Sequence, residues 1–358
     1  MGGVARHHQV IMRIVYTLLI AMSAAAQAPP QQFARIGDLR LESGEVIRDC
    51  RIGYRTFGTL NADRSNVVLF PTWFTGKSEQ IADSVGPGKL LDASRWYVIA
   101  VDALGNGVSS SPSNSKLQPR MRFPRFTIRD MVNSQHILLT KTLGIKRLHA
   151  VAGISMGAMQ AFEWVVAYPE FVERAVPLVG TPQLTSYDLL LWNTEREAIE
   201  LDPAWNKGEY KKQPARAMRT VAGIHALAAS TPEHRIRTTP RARFAEYQTQ
   251  IAQATLARED ANNWIRQLQA MISQDVAKPW GGDLAQAASR VRARILIVVG
   301  LQDHMVNPQP ALAFARLLQA DTIEINSDCG HGAVGCEMGK VAPQMSLFLE
   351  GKSLEQAR

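Results

Sequence analysis

Six short apolar runs separated by helix-patterned segments limit the fold more than any other feature of this chain. They are residues 67–71 (VVLFP), 96–101 (WYVIAV), 148–152 (LHAVA), 175–179 (AVPLV), 295–299 (ILIVV) and 322–326 (TIEIN). Runs that are apolar at nearly every position suit strands covered on both faces, as in a parallel sheet. Between them lie helix signals. Thr127 with Asp130 three residues on forms a cap, and Ile128, Met131, Val132, Leu138, Leu139 and Leu143 mark an apolar face up to Gly144. A second helix should follow Ser155 and stop before Pro169, and a third should run from about Pro308 to Leu318. Residues 39–57 read as an earlier antiparallel hairpin turning near Ser43 and Gly44. Such alternation predicts an α/β fold with a mostly parallel, doubly wound sheet. The rhythm breaks between the fourth and fifth runs, too far apart for a simple loop. Residues 183–289 are rich in helix formers and are expected to be a helical lid inserted into a core formed by residues 27–182 and 290–358.

The strand at 148–152 leads into Gly153-Ile154-Ser155-Met156-Gly157, and a helix is expected directly afterwards. This is the context of a nucleophile elbow. The tight turn forces the serine into strained geometry and exposes its hydroxyl above the sheet, and small flanking residues prevent clashes. The following helix N-terminus adds a positive dipole and free N–H groups.

A serine hydroxyl is too weakly acidic to attack alone and needs a base with an orienting acid. In this architecture the order is serine, acid, histidine. Of the eight histidines, His7 and His8 lie in the N-terminal segment, His136 and His149 precede Ser155, and His225 and His234 fall in the expected lid. His304 leaves no strand end before it for an acid. His331, in the loop Asp328-Cys329-Gly330-His331-Gly332 after the last strand, is the expected base. Asp303, just past ILIVV and its closing Gly300, stands at a strand's C-terminal end and is the expected acid. Asp328 competes for that role but is too near His331 in sequence. The oxyanion hole should use the N–H of Met156 and one from the loop after VVLFP, from Trp73 or alternatively Phe74.

The Gly-rich turn at Asp102, Gly105, Asn106, Gly107 and Ser109 misses the dinucleotide spacing, since Ser110 stands where the third glycine is needed. It reads as a structural turn. No His, Cys and carboxylate cluster has zinc-like spacing, so neither cofactor nor metal is expected.

Composition adds the surroundings. With 358 residues, 46% apolar and 20% charged, the chain is of ordinary globular type. Arg6 and Arg13 precede an apolar run at 14–22 (IVYTLLIAM), followed by small residues through Ala26, with no acid before Asp38. That layout predicts a signal peptide over residues 1–26 and a periplasmic or secreted protein. A start at Met12 would leave the signal intact. The run falls short of the ~20 apolar residues of a membrane span, so no stable membrane insertion is expected. Cleavage takes the net charge from +8 to +6. Without a nucleic-acid-binding motif beside it, that charge reads as a solvated basic face, and no nucleic-acid partner is expected. Cys329 and Cys336 either form a disulfide that clamps the His331 loop or stand unpaired, with Cys50 free.

The run GISMGAMQAFEWVVAYPEFVERAVPLVGTPQ resembles the elbow region of the homoserine O-acetyltransferase family. So do FPRFTIRDMVNSQHILLTKTLGI upstream, YRTFGTLN at 54–61 and AIELDPAWNKGEY at 198–210. The resemblance spans about residues 35 to 345. It implies an α/β-hydrolase fold with a helical lid, a triad of Ser155, Asp303 and His331, and ping-pong transfer through an acyl-serine. The chain also departs from the family. Where the acetyltransferases follow the catalytic histidine with an aspartate that holds the homoserine amine, this chain has Gly332. Arg216 and Arg219 are near the place of the carboxylate-binding arginine, and neither aligns cleanly. The expectation is therefore a carboxylic-ester hydrolase acting on small or medium acyl esters, with acyl transfer from acyl-CoA to a hydroxyl acceptor as the alternative. A non-catalytic binding protein on the same fold is a minor alternative. A homodimer is left open.

Overall fold

The computed structural model describes residues 28–354, so the signal expected over residues 1–26 lies outside the described residues. Eight strands form one sheet. They are β1 (Gln32–Arg40), β2 (Val46–Phe57), β3 (Val67–Pro71), β4 (Tyr97–Val101), β5 (Leu148–Ile154), β6 (Val172–Leu178), β7 (Arg294–Gly300) and β8 (Asp321–Ile325). The spatial order is β1-β2-β4-β3-β5-β6-β7-β8. β2 pairs antiparallel with β1 and β4, and every other pair is parallel. Strand order reverses beside β3 and β5, the position at which open sheets of this kind place their ligand crevice.

Alternation along the central strands sends side chains to two separate cores. Val67, Leu69, Ile99 and Val101 pack on one face, and Val68, Phe70, Val98 and Ala100 on the other. All eight are fully buried, which is why these strands read as unbroken apolar runs. β6 begins three residues before its apolar run. Glu173 and Arg174 remain half-buried in the ladder, because the pairing of Arg174 with Ala150 and Arg294 is made by backbone groups that are indifferent to side-chain polarity. The hairpin likewise begins earlier than its sequence signal, at Gln32.

Helix α1 (Ile128–Ile137) starts at the expected capping box: Thr127 Oγ1 accepts from the Asp130 N–H, and the Asp130 carboxylate accepts from the Thr127 N–H. It ends in a wider π turn at Leu138–Thr142. α2 (Met156–Ala167) follows Ser155 directly and is buried almost all round. It carries Glu163, which pairs with Arg129, and burial pushes that carboxyl up to about 7.

Between β6 and β7 the chain is helical. It contains α3 (Ser186–Glu200), α4 (Ala215–Ala229), α5 (Pro232–Thr238), α6 (Phe244–Arg258), α7 (Ala261–Ile272) and α8 (Leu284–Arg290). α3 packs on both α4 and α7, and Trp192, Met218, Val221, Trp264 and Leu268 on these helices are buried. After β7 come α9 (Gln309–Leu318), the short α10 (Ala333–Cys336) and α11 (Met338–Leu349), the last packed on the sheet face opposite α1 and α2. Among the described residues no helix is long and apolar enough to cross a membrane.

Candidate active site

Ser155 sits between β5 and α2 with φ 58° and ψ −121°, a backbone region that costs a non-glycine residue of order 1–3 kcal/mol. The flanking glycines explain how the turn closes around it. A Cβ on Gly153 would lie 2.4 Å from the carbonyl oxygen of Gly157, and one on Gly157 would lie 2.5 Å from that of Pro71. Both contacts are with backbone, which has no soft way to yield. The strain is locked in from both sides: the Ser155 N–H donates to Leu178 O at 2.9 Å, and its carbonyl accepts from Ala158 and Met159.

The serine hydroxyl lies 2.8 Å from His331 Nε2, and His331 Nδ1 lies 2.7 Å from Asp303 Oδ2. Each residue leaves the C-terminal end of a different parallel strand, β5, β7 or β8, so the sheet itself brings together groups far apart in sequence. The other oxygen of Asp303 accepts from the N–H groups of Met305 and Val306 at 2.8 and 3.0 Å. These two bonds fix which oxygen faces the imidazole. Asp303 is thus the acid beside His331. Asp328 instead faces Arg237 and His234, and the Arg237 guanidinium holds its carboxyl below the usual range. His304 is exposed, His136 stacks on Tyr168 and His149 on Trp96.

The His331 loop is tied down on several sides. Cys329 and Cys336 are joined by a disulfide, which resolves the two readings left open by the sequence, and Cys50 is free and buried. From the helical insertion, the Thr231 N–H and hydroxyl both donate to Asp328 O. His234, Asp328 and Cys329 lie close enough to suggest a metal site, but the Cys329 sulfur is spent in the disulfide and Arg237 takes up the carboxylate.

The loop after β3 faces the nucleophile. Thr72 donates to Val101 O, Thr75 to Gln267 Oε1 and Gly76 to Trp73 O, whereas the N–H groups of Trp73 and Phe74 meet no acceptor among the described residues. Met156 opens α2, where first-turn N–H groups lack intrahelical acceptors. These are the donors that an oxyanion requires. The Gly-rich turn after β4 supports the same loop from beneath, in keeping with a structural role. Buried Asp102 accepts from the Ser78 N–H and hydroxyl, the Gln31 side chain and the Asn106 side chain, while Thr72 Oγ1 accepts from the Ala103 N–H.

Above Ser155 and His331 is a cavity of about 220 Å³ walled by Trp73, Phe74, Ile154, Trp192, His225 and Met305. Four of these were not singled out as site residues from the sequence: Ile154, Trp192, His225 and Met305. Behind His225 lies fully buried Glu195, which accepts from its Nδ1 and from Trp264 Nε1, both at 3.2 Å. A signal for this existed. Asp188, Trp192, Glu195 and Ile199 repeat at helical spacing on the buried stripe of α3, and acids on such a stripe need partners. Asp188 has one in the Asn307 N–H, close to the Asp303 turn. Arg216 and Arg219, by contrast, are exposed on the outer side of α4, and Gly332 is exposed as well.

The chain matches the family described as the alpha/beta hydrolase fold over residues 65–334. It belongs to that family. An ethyl acetate hydrolase of Pseudomonas veronii is 34% identical over 81% of this chain and 85% of its own length. A homoserine O-acetyltransferase of Geotalea daltonii is 33% identical over 87% of this chain and 95% of its own. Among solved structures, that of the acetyl esterase MekB superposes with a TM-score of 0.85 at 32% identity, covering 90% of this chain and 97% of that one. This α/β-hydrolase is thus an enzyme and a divergent member of a group containing both esterases and homoserine O-acetyltransferases.

Proposed function

We propose that this enzyme is a carboxylic-ester hydrolase for small acyl esters, working through an acyl-serine at Ser155. The observation that carries the reading is the unbroken line Ser155 Oγ, His331 Nε2, His331 Nδ1, Asp303 Oδ2 at 2.8 and 2.7 Å, opening into a small, largely aromatic cavity. Ser155 attacks the ester carbonyl while His331 takes its proton, and Asp303 holds the imidazole in the tautomer that can do so. The N–H groups of Met156 and Trp73 stabilise the oxyanion. Collapse of the tetrahedral intermediate expels the alcohol, protonated by His331. Water, activated by the same histidine, then attacks the acyl-serine and releases the acid.

The acetyltransferase relatives favour a second reading, transfer from acyl-CoA to an alcohol such as homoserine. Gly332 in place of an aspartate and the outward-facing Arg216 and Arg219 weigh against it. One assay separates the two: p-nitrophenyl acetate and acetyl-CoA as donors, each with and without homoserine. Ester turnover indifferent to homoserine is the expected result, and homoserine-dependent consumption of acetyl-CoA would overturn it. Ser155→Ala should lower turnover on the order of 10³–10⁶-fold.

Export belongs to the same proposal. The Cys329–Cys336 disulfide supports an oxidising compartment, where such bonds persist. N-terminal sequencing of the mature protein should begin at Gln27, and retention of residues 1–26 would refute export.

A further inference from the structure

We propose that Trp192 and His225 form a polar anchor in the catalytic cavity that selects esters carrying a hydroxyl group away from the scissile carbonyl. The inference rests on the ester-hydrolase reading above and adds the substrate's second recognition point. Trp192 is 1% exposed and lines the cavity, yet its indole N–H meets no acceptor among the described residues. A buried donor left unpaired costs about 1–3 kcal/mol, and indole N–H can only donate, so an oxygen on a ligand in the adjoining cavity would relieve that cost once a small shift of the ring lets it reach Nε1.

His225 stands beside it, ring centroids 6.2 Å apart, with Phe74 against both. Its orientation is imposed from behind. Glu195, fully buried, accepts from Trp264 Nε1 with one oxygen and takes His225 Nδ1 with the other. A carboxylate can only accept, so the Nδ1 position carries the proton. With a single proton on the ring, Nε2 presents a lone pair, and it has no hydrogen bond to protein among the described residues. A donor-only indole next to an acceptor nitrogen complements a hydroxyl, which accepts from one and donates to the other. A simple alkyl group satisfies neither. Apart from the catalytic pair and the Trp73 indole, the rest of the wall, Phe74, Ile154 and Met305, is apolar, so His225 is the side-chain acceptor outside the catalytic pair that a substrate hydroxyl would meet. Glu195 acts through His225 and is a positioning residue.

The test compares near-isosteric esters differing by hydroxyl for methyl in each half of the molecule: hydroxyethyl acetate against propyl acetate, and ethyl glycolate against ethyl propionate. At least one hydroxyl ester should be preferred by about tenfold or more in kcat/KM, since a site built to hydrogen-bond a group discriminates against the analogue lacking it. Trp192→Phe and His225→Phe should each collapse the preference towards unity, and His225→Gln, whose amide oxygen still accepts, should restore part of it. A merely structural role would lower both rates together and leave the ratio intact. Titration calorimetry of the Ser155→Ala protein with the same pairs reads the anchor without turnover. Equal binding and equal kcat/KM within both pairs, or a ratio unchanged in both Phe variants, overturns the proposal. Selective binding without ester turnover would sustain the anchor while refuting the hydrolase reading, so the two failures are distinguishable.

Discussion

Replacing Asp303 by asparagine should disable the enzyme while leaving its fold in place, and the hydrogen bonds around the carboxylate say why. Oδ1 accepts from the N–H groups of Met305 and Val306. In Asp303→Asn, only the amide oxygen can keep those two bonds, because the NH₂ group pointed there would set donor against donor. The NH₂ must therefore occupy the place of Oδ2, 2.7 Å from His331 Nδ1. A donor in that position requires Nδ1 to be the acceptor, which moves the imidazole proton to Nε2. That nitrogen then faces the Ser155 hydroxyl with its lone pair gone and cannot accept the proton. The wrong tautomer costs a triad enzyme about 10⁴ in kcat, equivalent to ~5.5 kcal/mol of barrier. The two backbone bonds survive, so the melting temperature should change little. The assay is kcat for p-nitrophenyl acetate at neutral pH with a parallel thermal melt. A variant that keeps more than a tenth of wild-type kcat with an unchanged melt would refute the assignment of Asp303 as the orienting acid.

Two further outcomes follow from particular contacts. The Cys329–Cys336 bridge spans a sequence separation of 7, for which loop-closure entropy predicts about 2–3 kcal/mol. A double Ser variant should therefore melt several degrees lower and lose turnover more than substrate affinity, because the released loop carries His331. Unchanged kcat would mean that the insertion alone holds that loop. Burial pushes Glu163 up to about 7 from 4.5, so between those pH values the folded chain holds a proton that the unfolded chain has released. Stability from this site should thus be present below about pH 4.5 and decline as pH rises through about 7, by roughly 1–3 kcal/mol. Denaturant unfolding at pH 5 and pH 8 checks this, and Glu163→Gln should flatten the difference. An equal pH dependence in the variant would assign it to other groups.

Much of the architecture was readable in the sequence because the parallel strands are buried on both faces. VVLFP could be placed to the residue, since every side chain in Val67–Pro71 is excluded from water. Where ladder residues stay half-exposed, as at Glu173 and Arg174, polarity hid them and β6 was read three residues short. The three side chains that the structure brings into hydrogen-bond contact were legible for a related reason. Ser155 and Asp303 each stand just past the end of a buried strand, and His331 lies in the loop after the half-exposed edge strand β8, so finding the strands found the positions. The proposed oxyanion donors are different. They are backbone groups, and no side-chain type distinguishes Trp73 from Phe74. What marks the pair is that the N–H groups of Thr72, Thr75 and Gly76 are all spoken for, which only coordinates reveal.

The insertion was least legible, and it supplies Trp192 and His225 to the cavity wall. Its contacts are set by helix-on-helix packing, in which one residue spacing serves equally for a core stripe and a pocket wall. Trp192 on α3 and His225 on α4 are thirty-three positions apart and meet only because the two helices pack. Glu195 is the exception that the sequence could have offered, since an acid on an apolar helical stripe must find a partner or lose its charge. Its partners are His225 and Trp264, and through the first it reaches the cavity. On the proposed reading the ends of the sheet strands thus set what bond can be broken, whereas a buried carboxylate, one helix further out, sets which nitrogen of an imidazole a substrate would meet.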